Sequence, residues 1–522
     1  MNLLKAAATV SGFTMVSRIT GLLRDTLLAR TFGAGDAMDA FFVAFRIPNL
    51  LRRLFAEGAF SQAFVPLLGR IKSEQGDAAA LDAIDAIALV LLWVLVAVSA
   101  IGVVGAPVLV YLLASGQSAA TFDLTVLLTR VMFPYIACMS LVAMASGVLN
   151  TWRHFAVPAV TPVLLNVAMI GACLLLAPRM TPPILALGVG VMLGGLAQLA
   201  VQLPALARVG ALPRLKLNAM GWRNFKAAWR HASTRNVLGN MAPALLGVGV
   251  AQISLLINTQ IASHLGSGAV SWLSYADRLM EFPTALLGVA LGTVLMPSLS
   301  KAAASKDAVQ FNALLDWGLR LTCLLALPAA AALALLAQPL VAVLYLGGQF
   351  GLNDVAMTQR AVAAYALGLL GFSLVKILAP AFYAQQNVRT PVKIAVAVLL
   401  VVQAANWVCV PWLGHAGLAM SISVGALLNA GLLYAGLRRG GAAALYQPAK
   451  GWFKFAAQLL VGVAAMAGFL WWAAPQFNWL ALQAQPWLRA GALLGICAAG
   501  AATYFAVLLL CGVRVRDFLR RA

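Results

Sequence analysis

Eleven basic residues stand inside stretches of the chain that are otherwise apolar: Arg18, Arg24, Arg30, Arg46, Arg52, Arg53, Arg130, Arg278, Arg320, Arg360 and Lys376. Six of the eleven precede Leu54, near Asp25, Asp39 and Glu57, and Arg278 lies beside Asp277 and Glu281. The spacing is ordered. Asp39, Arg46 and Arg53 recur every seven residues, Arg18 and Asp25 are seven apart across Gly21, and Asp277 and Glu281 are four apart. On a helix each set shares one face. Two kinds of chemistry fit such faces. Arginine and carboxylate can satisfy one another and lock helices together. Alternatively, guanidinium groups can line an aqueous cavity and clamp a phosphorylated group through planar, bidentate contacts. Seven basic groups (the early six plus Arg278) against five acids favour an anionic ligand.

The elements that position these charges follow from composition. The chain has 522 residues, of which 62% are hydrophobic and 10% charged, with a net charge of +21. Soluble chains are near a quarter charged. This much apolar side chain needs lipid around it, and nucleic-acid binders carry their positive charge on polar chains. A polytopic membrane protein is expected, with no nucleic-acid partner. A helix crosses the bilayer with about 20 apolar residues. That length marks fourteen spans, near 6–32, 38–67, 82–114, 122–149, 156–177, 182–203, 236–264, 270–299, 309–345, 355–385, 390–411, 416–437, 452–474 and 487–511. The first two contain Arg18, Arg24, Arg46, Arg52 and Arg53, yet apolar residues continue on both sides of each charge. A charge at the bilayer centre costs at least about 2.5–3.5 kcal/mol, so these faces must point away from lipid.

With the N-terminus inside, twenty-three basic residues fall in cytoplasmic segments, including the tail residues Arg514, Arg516, Arg520 and Arg521, and only Arg179 and Arg489 fall outside. The positive-inside rule then places both termini in the cytoplasm. Lys5, Arg18 and Arg24 leave no signal-peptide pattern at the start. The six cysteines are scattered singly in apolar runs and suggest neither a disulfide framework nor a metal site. In the long loop 205–235, Trp222, Phe225 and Trp229 alternate with Arg223, Lys226 and Arg230. This is the pattern of an amphipathic helix on an anionic leaflet.

An internal repeat organises the rest. Gly33 and Gly35 pair with Gly266 and Gly268, Pro66 with Pro297, Pro107 and Gly116 with Pro339 and Gly348, and Pro158 with Pro391, all at shifts of 231 to 233. Spans 1–6 and 7–12 therefore read as two copies of one unit. Six spans is an even number, so both copies share one orientation and their pseudo-two-fold axis lies along the membrane normal. Transporters built this way rock two lobes around a substrate. Spans 13 and 14 fall outside the repeat. The expected parts are an N-terminal lobe (1–204), the basic loop (205–235), a C-terminal lobe (236–440) and a final pair of spans with a basic tail (441–522).

The arginine-rich stretches VSRITGLLRD (16–25), DAFFVAFRIPNLLRRLFAEGAFSQAFVPLL (39–68) and SYADRLMEFP (274–283) resemble the MurJ/MviN family of lipid II flippases. That family belongs to the multidrug/oligosaccharidyl-lipid/polysaccharide exporter superfamily. The resemblance runs along the whole chain. It implies an all-α fold of fourteen transmembrane helices in two six-helix lobes, with no enzymatic step and no cofactor. It further implies a central cavity that binds the diphosphate and sugar-peptide head of lipid II. Its functional charges map onto Arg18, Arg24, Asp39 and Arg52 in the first lobe and Asp277, Arg278 and Glu281 in the second. Head entry is implied between spans 1 and 8, and a groove for the polyprenyl tail at spans 13 and 14. The implied partners are lipid II, membrane lipids and cell-wall synthesis or division proteins, in the bacterial cytoplasmic membrane. Spans 7, 11 and 12 contain no Asp or Glu. The membrane potential, rather than a sodium site there, is the expected driving force. A drug-cation antiporter would call for an acidic cavity, and an enzyme acting on polyprenyl phosphates would call for clustered metal-binding acids. Neither pattern is present. A flippase for another polyprenyl-diphosphate-linked polysaccharide is the alternative.

Overall fold

A computed structural model describes residues 3–52, 60–214, 222–439 and 445–513, with side chains for all of these except 3–11, 222–223, 242–251 and 286–294. Arg53, Glu57, Lys216, the four tail arginines and the side chains of Lys5, Trp222 and Arg223 lie outside the described set. Apart from one isolated bridge between Gly347 and Phe350, every regular element among the described residues is helical.

The first compact unit spans Met1–Val270. It contains α1 (Leu3–Phe32), α2 (Asp36–Arg52), α3 (Phe60–Val104), α4 (Ala106–Ala114), α5 (Ala119–Met132), α6 (Tyr135–Thr151), α7 (Ala156–Gly171), α8 (Leu185–Arg208), α9 (Trp222–Arg230) and α10 (Ala232–Ser263). α1 runs unbroken through Gly21 and ends where Gly33 turns left-handed at φ 71°. Asp36 and Asp39 then occupy the first turn of α2, where negative charge suits the helix dipole. Gly76, at φ 87°, interrupts α3 between a charged segment and the apolar run that follows. α10 packs on α3 and α4. Its end is tied to the turn after α4: the Ser115 amide donates to Gln260 Oε1 at 3.0 Å and the Gly116 amide to Ser263 Oγ at 3.2 Å. A β-carbon on Gly116 would come within 2.7 Å of the Ser263 carbonyl oxygen, so the approach requires glycine.

The second unit spans Ser271–Ala522. It holds nearly all of α11 (Ala269–Ala304), then α12 (Ala308–Leu335), α13 (Ala337–Tyr345), α14 (Leu352–Ala384), α15 (Arg389–Leu413), α16 (His415–Arg438), α17 (Trp452–Ala473) and α18 (Pro486–Leu510). α14 and α16 form its centre. β-Carbons on Gly368 and Gly371 would fall 2.6 Å from Ser423 Cα and 2.5 Å from the Ala426 carbonyl carbon. The small residues let the backbones approach as membrane helices do, and Ser423 Oγ donates across to the Ala364 carbonyl at 2.7 Å.

The repeat read from the sequence reappears as local structure. Gly33 and Gly266 both adopt positive φ, at 71° and 96°. Pro158 and Pro391 each sit at the third residue of their helices, where a missing N–H costs nothing. α4 and α13 are both nine-residue helices that follow a break.

α17 packs against α18, and α18 is bolted to α12 and the end of α13 by polar groups. The Tyr504 hydroxyl donates to the Leu324 carbonyl at 2.7 Å. That carbonyl has no helical donor because Pro328 stands four residues on. Arg489, 1% exposed, donates to the Leu346 carbonyl at 3.4 Å. One of the two exceptions to the charge partition is thus a buried side chain. Trp407, Trp412, Trp471, Trp472 and Trp487, at the end of α15, the end of α17 and the start of α18, are strongly exposed. They form the aromatic girdle of a membrane–water boundary.

Ten helical segments are long and apolar enough to cross a membrane among the described residues. They coincide with the expected spans 3–6 and 9–14. Spans 1, 7 and 8 fall on α1, α10 and α11, while span 2 (38–67) begins on α2, crosses residues outside the described set and ends in the first turns of α3. α2 runs to the edge of the described residues, and α1, α10 and α11 each include a stretch without described side chains.

Candidate functional site

In the first unit the charged faces of α1 and α2 meet polar groups on other helices. Arg24 is 9% exposed and Asp25 7%. The Arg24 guanidinium donates through Nε and Nη2 to Asp25 Oδ1 at 2.9 and 2.6 Å, and through Nη1 to Asn166 Oδ1 on α7 at 2.9 Å. The Asn166 amide in turn donates to the Ser17 carbonyl at 3.0 Å and to Thr20 Oγ1 at 3.1 Å. Asn166 therefore orients Arg24 while closing α7 onto α1 around Gly21. Arg18, expected to share a face with Asp25, is half-buried on α1, and the structure pairs Asp25 with Arg24 instead.

The face of Asp39 and Arg46 is turned as their spacing predicts, towards α10 and the turn after it. Asp39, 4% exposed, accepts from the Gly268 amide at 2.8 Å, one residue before α11 begins. A carboxylate there meets the positive end of a helix dipole. Arg46 Nη1 donates to Thr259 Oγ1 at 2.6 Å. Arg52, half-buried, donates through Nε and Nη2 to Asn49 Oδ1 at 3.1 and 2.9 Å.

In the second unit Asp277, Arg278 and Glu281 share one stretch of α11. Arg278 Nη1 lies 3.1 Å from Glu281 Oε2, with the side chains 46% and 34% exposed. An ion pair this exposed contributes little to stability. Lys376 on α14 donates to the Thr284 carbonyl at 2.8 Å, one turn further along α11. Among the described residues no group of three or more His, Cys, Asp or Glu side chains comes together as a metal site would require.

The structure thus brings Arg24 together with Asp25, Asp39 with a helix N-terminus, and Arg278 with Glu281. Sequence reasoning misses Asn49, Asn166 and Thr259, the neutral partners. Asn166, a lone amide in an apolar run, carries a usable signal, because polar groups at membrane depth seek partners. Asn49 and Thr259 carry none.

A family model described as lipid II flippase MurJ matches residues 28–486. The chain is 52% identical over 524 residues to the lipid II flippase MurJ of Burkholderia cenocepacia, covering 100% of both. The chain belongs to the MurJ lipid II flippase family. A probable lipid II flippase MurJ of Vibrio cholerae is 40% identical over 99% of the chain and 97% of that relative. A solved MurJ structure in an inward closed conformation superimposes with a TM-score of 0.77 at 23% identity, covering 98% of the chain and 99% of its own. An inward-facing MATE transporter of the MOP superfamily follows at a TM-score of 0.68 and 14% identity, covering 82% and 96%. At these identities the structures establish a shared fold. In this chain the charged residues of the site stand on α1, α2 and α11, helices of 30, 17 and 36 residues.

Proposed function

We propose that the chain carries lipid II from the inner to the outer leaflet of the bacterial cytoplasmic membrane by alternating access, supplying precursor for cell-wall growth. The observation that supports it is a set of guanidinium groups held in apolar helices, in a chain that aligns end to end with a lipid II flippase. The substrate head is a diphosphate joined to a sugar-peptide. Arg18, Arg24, Asp39 and Arg52 from the first unit, with Asp277, Arg278 and Glu281 from the second, are the side chains we assign to it. Arginine suits this role because its planar fork takes phosphate oxygens two at a time, whereas lysine offers a point charge. Binding supplies the differential free energy that any conformational switch requires. No covalent step is asked of the chain, so it acts as a transporter.

We further assign fourteen spans, both termini in the cytoplasm, a tail-binding role for α17 and α18, and the four-part division at residues 204, 235 and 440 that the repeat dictates. Reporter fusions at Ala522 and within 205–235 should both read as cytoplasmic. Periplasmic activity from either would overturn the topology.

The function is tested by depleting the protein in cells and identifying the lipid-linked intermediate that accumulates on the cytoplasmic leaflet. Lipid II is expected; another polyprenyl-linked glycan would replace the assignment. In the same strain Arg278→Ala should lose complementation, and Arg278→Lys should recover it only in part. Full activity in Arg278→Ala would remove this residue from the site.

A further inference from the structure

The loop that joins the repeats carries seven Lys or Arg residues between positions 205 and 235 and no acid. Its helix α9 is docked by one face only. Phe225 packs on Trp93 with ring centroids 6.1 Å apart, and Ala228 is buried against Leu89 and Val90 of α3. Upstream, the Arg214 amide donates to Asp85 Oδ1 at 2.8 Å. The docking level is informative. On α3 the charges end with Asp77, Asp82 and Asp85, and the sequence from Ala86 to Val104 is uncharged. α9 therefore lies across the first turns of the apolar run, at the depth where headgroups give way to hydrocarbon. On its outer side Lys226 and Arg230 are exposed, and Trp229, 42% exposed, leans on Phe225 with centroids 5.7 Å apart. These four side chains line an open recess of about 290 Å³ with an aromatic wall and two cations.

We propose that this recess binds the headgroup of an anionic phospholipid of the facing leaflet. The loop itself contributes no carboxylate, and the Asp85 of α3 that reaches it is taken by the Arg214 backbone amide. Arg230 offers a bidentate contact to a phosphodiester, Lys226 a point charge beside it, and Trp229 an amphipathic ring suited to the top of the acyl chains. A soluble protein partner would need acids on its own surface to match the same face, and would not need the exposed Trp229 beside them.

The test uses the full chain in phosphatidylcholine nanodiscs containing a trace of a photoactivatable lipid, with adducts mapped by mass spectrometry. Phosphatidylglycerol probe should label residues 222–230 several-fold more than phosphatidylcholine probe at equal mole fraction. The preference rests on the two cations, so Lys226→Gln with Arg230→Gln should reduce phosphatidylglycerol labelling by the same factor, to about the phosphatidylcholine level. Trp229→Ala, which keeps both charges, should reduce it less. Equal labelling by both probes, or labelling unchanged in the double variant, would overturn the proposal. Loss of labelling on adding millimolar inorganic phosphate would assign the recess to a soluble anion and overturn the lipid source. Should the double variant fold poorly, the probe comparison on the native chain and the Trp229→Ala variant decide.

Discussion

Arg24→Ala is expected to lower the melting temperature of the detergent-purified protein and to abolish complementation together. The guanidinium is buried and holds Asp25, itself buried, through two nitrogens. Removing one partner of such a pair strands the other charge, at a cost of about 3–5 kcal/mol. A second variant separates fold from transport. Arg24→Ala with Asp25→Ala removes both members of the pair and should recover much of the melting temperature. It should still fail to complement if Arg24 is a phosphate ligand. Complementation by the double variant would show that Arg24 serves only the packing of α1 on α7. Arg52→Ala is the companion case. Arg52 is half-buried and bonded to Asn49 within its own helix, so stability should fall less than in Arg24→Ala while transport is lost.

Asp316→Ala is expected to free the segment that leads into α17. The Asp316 carboxylate, 8% exposed, accepts through Oδ1 from the Tyr446 hydroxyl at 2.7 Å, Trp452 Nε1 at 2.6 Å and the Ala449 amide at 3.1 Å. Its Oδ2 lies 2.8 Å from Arg320 Nε, and Arg320 Nη2 also donates to the Lys450 carbonyl at 3.2 Å. Burial, and then the adjacent carboxylate, push the Tyr446 phenol well above its ordinary value, so it stays a donor at every working pH. Alanine would leave these donors and the Arg320 charge without their acceptor, a loss of about 3–5 kcal/mol. The melting temperature should fall and trypsin should cut after Lys450 faster. Tyr446→Phe, which removes one donor of the set, should cost about 1 kcal/mol. An unchanged melting temperature and digestion rate in Asp316→Ala would show that α17 is held by its packing against α12 and α18 instead.

Much of the molecule is legible in the amino-acid sequence. Apolar runs of span length, Gly and Pro at turns and the constant repeat shift all act through neighbours in sequence, and the helices, breaks and positive-φ glycines fall where those signals lie. The seven-residue spacing likewise predicts that Asp39 and Arg46 face one way. Periodicity says which side of a helix a residue occupies.

It does not say what arrives on that side. Spacing matches Asp25 to Arg18, yet it pairs with its neighbour Arg24, because Asn166, 142 residues further on, fixes the guanidinium from the other side. Asp39 caps a turn 229 residues away, and Asp316 gathers donors from a segment more than 130 residues later. Composition, hydropathy and repeat alone determined a polytopic helical membrane protein with arginine-bearing faces turned from lipid. Only the tertiary structure decided which polar partner each of those charges meets, because that depends on which helices pack together at membrane depth, and a buried charge is held by whatever polar group the packing delivers to it.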